Sequence, residues 1–148
     1  MTAVYNNTYL ISYVDKTAAT TTTNYDSTFS TLQVLSMDMH TPNIGKVMNT
    51  VNNIPYNIYE IITLNINTGL FVGICQDASD TKETAYIISG QVDHDSYDFK
   101  LHKSPLTYTD MYSISPSITR LSDTSFAFAY FDFNSSKLVT SYGNSYNC

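Results

Sequence analysis

The sequence predicts an all-β fold of four-stranded antiparallel blade repeats, arranged like a β-propeller, with a β-sandwich as the alternative. Three observations lead there. The chain has 13 Tyr and 7 Phe but no Trp, and together with abundant Thr, Val and Ile these suit a pleated, half-buried surface. Apolar residues alternate with period two between clusters of Asn, Asp, Ser, Thr and Gly, and no window sustains a 3.6-residue period. Finally, three segments share one ending: Tyr9-Leu10-Ile11-Ser12-Tyr13-Val14-Asp15, Leu70-Phe71-Val72-Gly73-Ile74-Cys75-Gln76-Asp77 and Phe126-Ala127-Phe128-Ala129-Tyr130-Phe131-Asp132. Each reads as a strand closed by an aspartate.

Around each marker aspartate the same elements recur in order. A first strand (A) ends at Val4-Tyr5, at Leu64 and at Leu121, and each is followed by a polar turn, where Asn-Thr, Asp-Thr or Thr-Gly supplies turn chemistry. The second strand (B) is the segment ending in Asp15, Asp77 or Asp132. After a polar loop, a third strand (C) is expected over Phe29–Asp38, Thr84–Val92 and Lys137–Asn144. A fourth (D) is expected at Ile44–Met48 and Tyr97–His102. The marker aspartates lie 62 and 55 residues apart, above the roughly 40–50 of familiar propeller repeats. Long loops at Thr17–Thr28 and Ser104–Ser115 account for the excess.

This gives one domain, 1–148, with repeats at about 1–50, 56–103 and 114–148. Closed propellers take typically 4–8 blades, so fewer than three full blades are expected to belong to a longer chain or to close on other copies. In either case the partners are further blades or other subunits.

Composition narrows the function classes. Net charge is −6 with only 7 Lys+Arg, too few for the basic stripe that nucleic acid needs. No apolar run approaches the roughly 18–20 residues of a spanning helix, so no membrane insertion is expected. The first residues carry neither a basic nor an apolar leader region, so the chain either avoids that secretory route or has a signal upstream. Two cysteines cannot make a disulfide-rich scaffold. Cys75 lies in an apolar run and reads as a small buried hydrophobe, while Cys148 is open to pairing with Cys75, pairing with another chain, or staying a thiol.

The stretch Ser115-Pro116-Ser117-Ile118-Thr119-Arg120-Leu121-Ser122-Asp123-Thr124-Ser125-Phe126-Ala127-Phe128-Ala129-Tyr130-Phe131-Asp132 resembles the repeat of large β-propeller surface proteins of protists and algae, among them mastigoneme-like structural glycoproteins. The middle repeat departs from it at Cys75-Gln76-Asp77 and in the insertion Asn65-Ile66-Asn67. The resemblance implies an extracellular or cell-surface module that is structural or adhesive, usually glycosylated, and without catalytic residues.

Candidate sites are few. Asn6-Asn7-Thr8 and Asn134-Ser135-Ser136 are N-glycosylation sequons at expected turns, where exposed flexible backbone suits a glycan. Thr20–Thr23 could carry O-linked sugars if secreted. Asp93, Asp95 and Asp98 with His94 form an oxygen-rich cluster and a weak calcium candidate, because the EF-hand glycine and terminal glutamate are absent. Asp15, Asp77 and Asp132 read as turn-fixing residues, since an aspartate at a strand end can accept hydrogen bonds from the next loop. His40, His94 and His102 lack metal-ligand spacing, and no nucleophile, phosphate-loop or zinc-protease motif occurs.

The expected function is therefore a non-enzymatic structural module of an extracellular filament or surface coat, with no cofactor. A lectin-like propeller binding glycans through aromatic faces such as Tyr130 is the alternative. A glycoside hydrolase is the third reading, with Glu60 and Glu83 as the chain's two glutamates.

Overall fold

The computed structural model describes residues 1–15, 29–37, 45–54, 56–77, 85–104, 113–132 and 135–144. Within them the fold is all-β, with eleven strands in three antiparallel meanders. Sheet 1 holds β1 (Thr2–Tyr5), β2 (Thr8–Asp15), β3 (Phe29–Ser36) and β4 (Lys46–Ile54). Sheet 2 holds β5 (Tyr56–Asn65), β6 (Leu70–Asp77), β7 (Ala85–Val92) and β8 (Phe99–Ser104). Sheet 3 holds β9 (Ser113–Arg120), β10 (Ser125–Asp132) and β11 (Lys137–Asn144). Strand order follows chain order in every sheet, as short hairpin connections require.

Each marker aspartate ends the second strand of its sheet: β2, β6 and β10. The fourth strands differ from expectation. β8 covers Phe99–Ser104, and β4 runs on to Ile54, because Val51 pairs with Leu32 and packs against the first core, which keeps the ladder going past Met48. At β9, Pro116 is buried. Its missing N–H coincides with a register shift between Ala129 and Phe131 of β10, and an edge strand tolerates this because its outer side needs no ladder donor.

Counting back from the marker aspartates sorts the second strands into two faces. Even positions form one face: Tyr9, Ile11 and Tyr13 in β2; Phe71, Gly73 and Cys75 in β6; Phe126, Phe128 and Tyr130 in β10. Odd positions form the other: Leu10 and Ser12, Val72 and Ile74, Ala127 and Ala129 with Phe131. The odd face of sheet 1 packs on the even face of sheet 2, burying Val4, Leu10, Leu32 and Val34 against Ile58, Ile61, Phe71, Cys75 and Ile88. The odd face of sheet 2 then packs on the even face of sheet 3, burying Leu64, Val72, Ile74 and Ile87 against Ile118, Phe126, Phe128 and Tyr130. β6 thus has both faces buried, which explains its unbroken apolar run.

Two cross-strand pairs repeat. Phe71 stands opposite Gly90, and Phe126 opposite Gly143. In each pair the ring lies over the glycine, so a methyl at Gly90 or Gly143 would come within 2.6 or 2.5 Å of the ring's Cζ.

Candidate functional surfaces

The seams between sheets are tied by polar contacts as well as by apolar packing. Between sheets 1 and 2, Thr63 N–H donates to Thr2 Oγ1 at 3.1 Å, and Thr63 Oγ1 donates to the Ala3 carbonyl at 2.5 Å. Ile58 N–H donates to Ser30 Oγ at 3.1 Å. The Asn49 amide donates to the Tyr97 carbonyl at 2.9 Å. Tyr5 crosses the same seam: its hydroxyl donates to the Val92 carbonyl at 2.5 Å, and its ring meets His94 edge-on at 4.8 Å between centroids. Burial, with Asp93 and Asp95 adding negative charge nearby, raises the Tyr5 pKa above that of an ordinary tyrosine. The turn opposite needs Gly69, where φ is +68° and a side chain would collide with the Tyr5 hydroxyl and the Val92 carbonyl.

Between sheets 2 and 3, Glu60 accepts a hydrogen bond from Ile118 N–H at 2.9 Å, and Asn65 donates to Asp123 at 3.3 Å. One of the two glutamates considered for glycosidase chemistry therefore ties sheet 2 to sheet 3. The other, Glu83, lies outside the described residues.

The acidic stretch after β7 is a self-bonded turn. Asp93 Oδ1 accepts from Asp95 N–H at 3.0 Å, from Ser96 N–H at 2.9 Å and from Ser96 Oγ at 3.2 Å. Those donors, the Ser96 and Asp95 amides first, hold the Asp93 carboxyl below its usual pKa. His94 Nδ1 lies 3.0 Å from Asp95, while Asp98 N–H donates to Ser96 Oγ at 3.2 Å. Among the described residues no group of three or more His, Cys, Asp or Glu side chains is placed to hold a metal ion.

The remaining sequence candidates fall as follows. Asn6 is exposed in the β1–β2 turn beside Asn7, whose φ of 59° is a left-handed conformation that asparagine tolerates. Asn134 and Thr20–Thr23 lie outside the described residues, as do His40 and Cys148. Cys75 is fully buried in β6. Asp15 and Asp77 end their strands, but their side chains lie outside the described set. Asp132 accepts a hydrogen bond from Ser135 Oγ at 2.5 Å. His102 is exposed on β8. Tyr130 does not offer a glycan-binding face: it is 3% exposed and packs parallel to Phe128 in the second core.

Periodicity alone did not single out the exposed apolar faces. Sheet 1 turns its even face outward, with Tyr9, Ile11, Tyr13, Leu35 and Val47, of which Tyr13 is 42% and Val47 49% exposed. Sheet 3 turns its odd face outward, with Ala127, Ala129, Phe131, Leu138 and Tyr142, where Leu138 is 70% and Tyr142 83% exposed. Neither core cluster contains any of these residues. The even-odd count from the aspartates was the signal that could have found them. Compared with family models, curated proteins and solved structures, the chain matches none.

Proposed function

We propose that the chain is a non-enzymatic structural module whose three meanders are blades of a propeller-like stack, built into an extracellular filament or surface coat. The observation that carries this reading is the repeated seam. The same odd face meets the same even face twice, and polar tethers cross each junction. Three layers in series support blades over a two-sheet sandwich. β5 meets β9 at one seam and β1, β2 and β3 at the other, so sheet 2 is in contact with both of its neighbours. Such a module supplies rigid, laterally cohesive surface, and exposed tyrosines suit that role through broad contact area with a polar tip. Asn6, on an exposed hairpin, is the position from which a glycan would project.

A carbohydrate-binding reading has narrower support, in Tyr59 and Tyr142, which are 51% and 83% exposed and could each stack on a sugar ring. Cryo-imaging of the native assembly tests the structural reading. Regular arrays with the chain in contact with neighbours are expected, and an isolated protein with no neighbours would overturn it. Glycan-array binding abolished by Tyr142→Ala would move the assignment to the lectin.

A further inference from the structure

We infer that the outward odd face of sheet 3 docks on the outward even face of sheet 1 in a second copy of this chain, continuing the seam that joins its own sheets. The inference rests on the blade-stack reading above and names its partner.

The even face of β2, Tyr9-Ile11-Tyr13, has the same character at the same positions as Phe126-Phe128-Tyr130 of β10. In β10 those three residues are 1%, 5% and 3% exposed because the odd face of sheet 2 covers them. In β2, Tyr9 and Ile11 are only half-buried and Tyr13 is 42% exposed. The same pattern is fully covered in one place and only partly covered in the other. What covers it inside the chain is always an odd face, and the odd face left open is that of sheet 3.

Size and polarity also match across the proposed junction. Ala127 and Ala129 leave a shallow trough along β10, with Phe131 and Leu138 at one end and Tyr142 at the other, and the large Tyr9 and Tyr13 side chains suit such a trough. Thr119 pairs with Ala127 as Thr2 pairs with Leu10, both partners standing five residues before an aspartate. Thr119 is exposed, whereas Thr2 already accepts the N–H of Thr63 on the next sheet. The residue equivalent to Thr63 on the second copy is Ala3, whose N–H would be the donor to Thr119.

Because the two faces differ, the contact is heterologous and propagates until it closes. Two copies supply six sheets, within the roughly 4–8 blades of closed propellers, so a two-copy ring is the expected product.

The test uses two variants at exposed positions, Phe131→Arg on the odd face and Tyr13→Asp on the even face. Leu138→Arg replaces the first if its urea midpoint departs from that of the parent. Sedimentation velocity should show the parent chain as a dimer. Each variant alone should associate at least about 100-fold more weakly, because a charge without a partner is buried at the junction. Mixed together, they should form a heterodimer, since one of its two junctions is unaltered and the other sets the introduced guanidinium against the introduced carboxylate. If the mixture stays monomeric, or either variant alone dimerises like the parent, the inference is wrong. A parent that assembles while all these substitutions leave it unaffected also refutes the junction but keeps the structural reading. A parent that is monomeric at every concentration refutes both.

Discussion

Gly143→Ala puts two opposing effects in direct competition. Alanine in a strand loses less backbone entropy than glycine, which alone would stabilise by about 0.5–1 kcal/mol. Against this, the new methyl would stand 2.5 Å from Phe126 Cζ, 3.0 Å from Cε2 and 3.1 Å from Cε1. Ordinary carbon contacts begin near 3.5 Å, so the ring would have to retreat by about an ångström. Phe126 is 1% exposed, with Phe128 beside it, so it has nowhere to go. Overpacking of this kind costs about 1–3 kcal/mol, which outweighs the entropy gain, and a net loss of about 1–2 kcal/mol is expected. Gly90→Ala should cost more. Its methyl meets Phe71 Cζ at 2.6 Å and also the Lys100 carbonyl at 2.8 Å, and that backbone cannot move without disturbing the β7–β8 ladder. Urea unfolding gives both values, provided the slope m stays constant. Pairing Gly143→Ala with Phe126→Leu should recover about half of the glycine penalty as a coupling energy. If Gly143→Ala is neutral or stabilising, the ring is not held over the glycine and the argument fails.

Three further outcomes follow from the seams and the acidic turn. Tyr5→Phe removes the hydrogen bond to the Val92 carbonyl and should cost about 1–2 kcal/mol in urea unfolding. Because the folded state raises the Tyr5 pKa, its contribution is complete below the ordinary tyrosine pKa and is lost as pH rises through the folded value. The gap between parent and variant should therefore shrink in strong alkali. Glu60→Leu leaves Ile118 N–H without its acceptor and should cost about 1–3 kcal/mol, while Glu60→Gln, which keeps a carbonyl acceptor, should recover most of the loss. Asp93→Ala should speed hydrogen exchange at the Asp95 and Ser96 amides. In the parent the same amides should exchange faster once pH falls below the lowered Asp93 pKa, after allowing for intrinsic rates, because the protonated carboxyl accepts hydrogen bonds poorly.

Much of this architecture was written in local pattern. Alternation plus a closing aspartate placed β2, β6 and β10, because a strand's period and its terminal turn are both set within about ten residues. β4 extends past Met48 to Ile54 because Val51 packs against the first core, and no local pattern in the Asn-rich stretch after Met48 states that packing. Tyr130 shares parity with Phe126 and Phe128, and that parity, counted back from Asp132, marks it as a core residue rather than a surface aromatic. The seam contacts were not legible. Tyr5 and Val92 are 87 residues apart, and Glu60 and Ile118 are 58 apart, and nothing in a single sequence relates such positions. The outward faces fall between these cases: their residues were visible, but which face lies outward depends on the order in which the sheets are layered.

The two-faced strand β6 has a consequence for how the molecule opens. Sheets 1 and 3 belong to separate cores, and each core is completed only by sheet 2. Such an array behaves as a short chain of nearest-neighbour couplings. In a single, dissociated copy, opening from either end breaks one coupling and leaves an intact pair, whereas opening in the middle breaks both at once. Amides of β6 should thus exchange only when the whole molecule unfolds, while β2 and β10 should also report cheaper, one-sided openings. The middle third of the sequence sets the ceiling on stability for the rest.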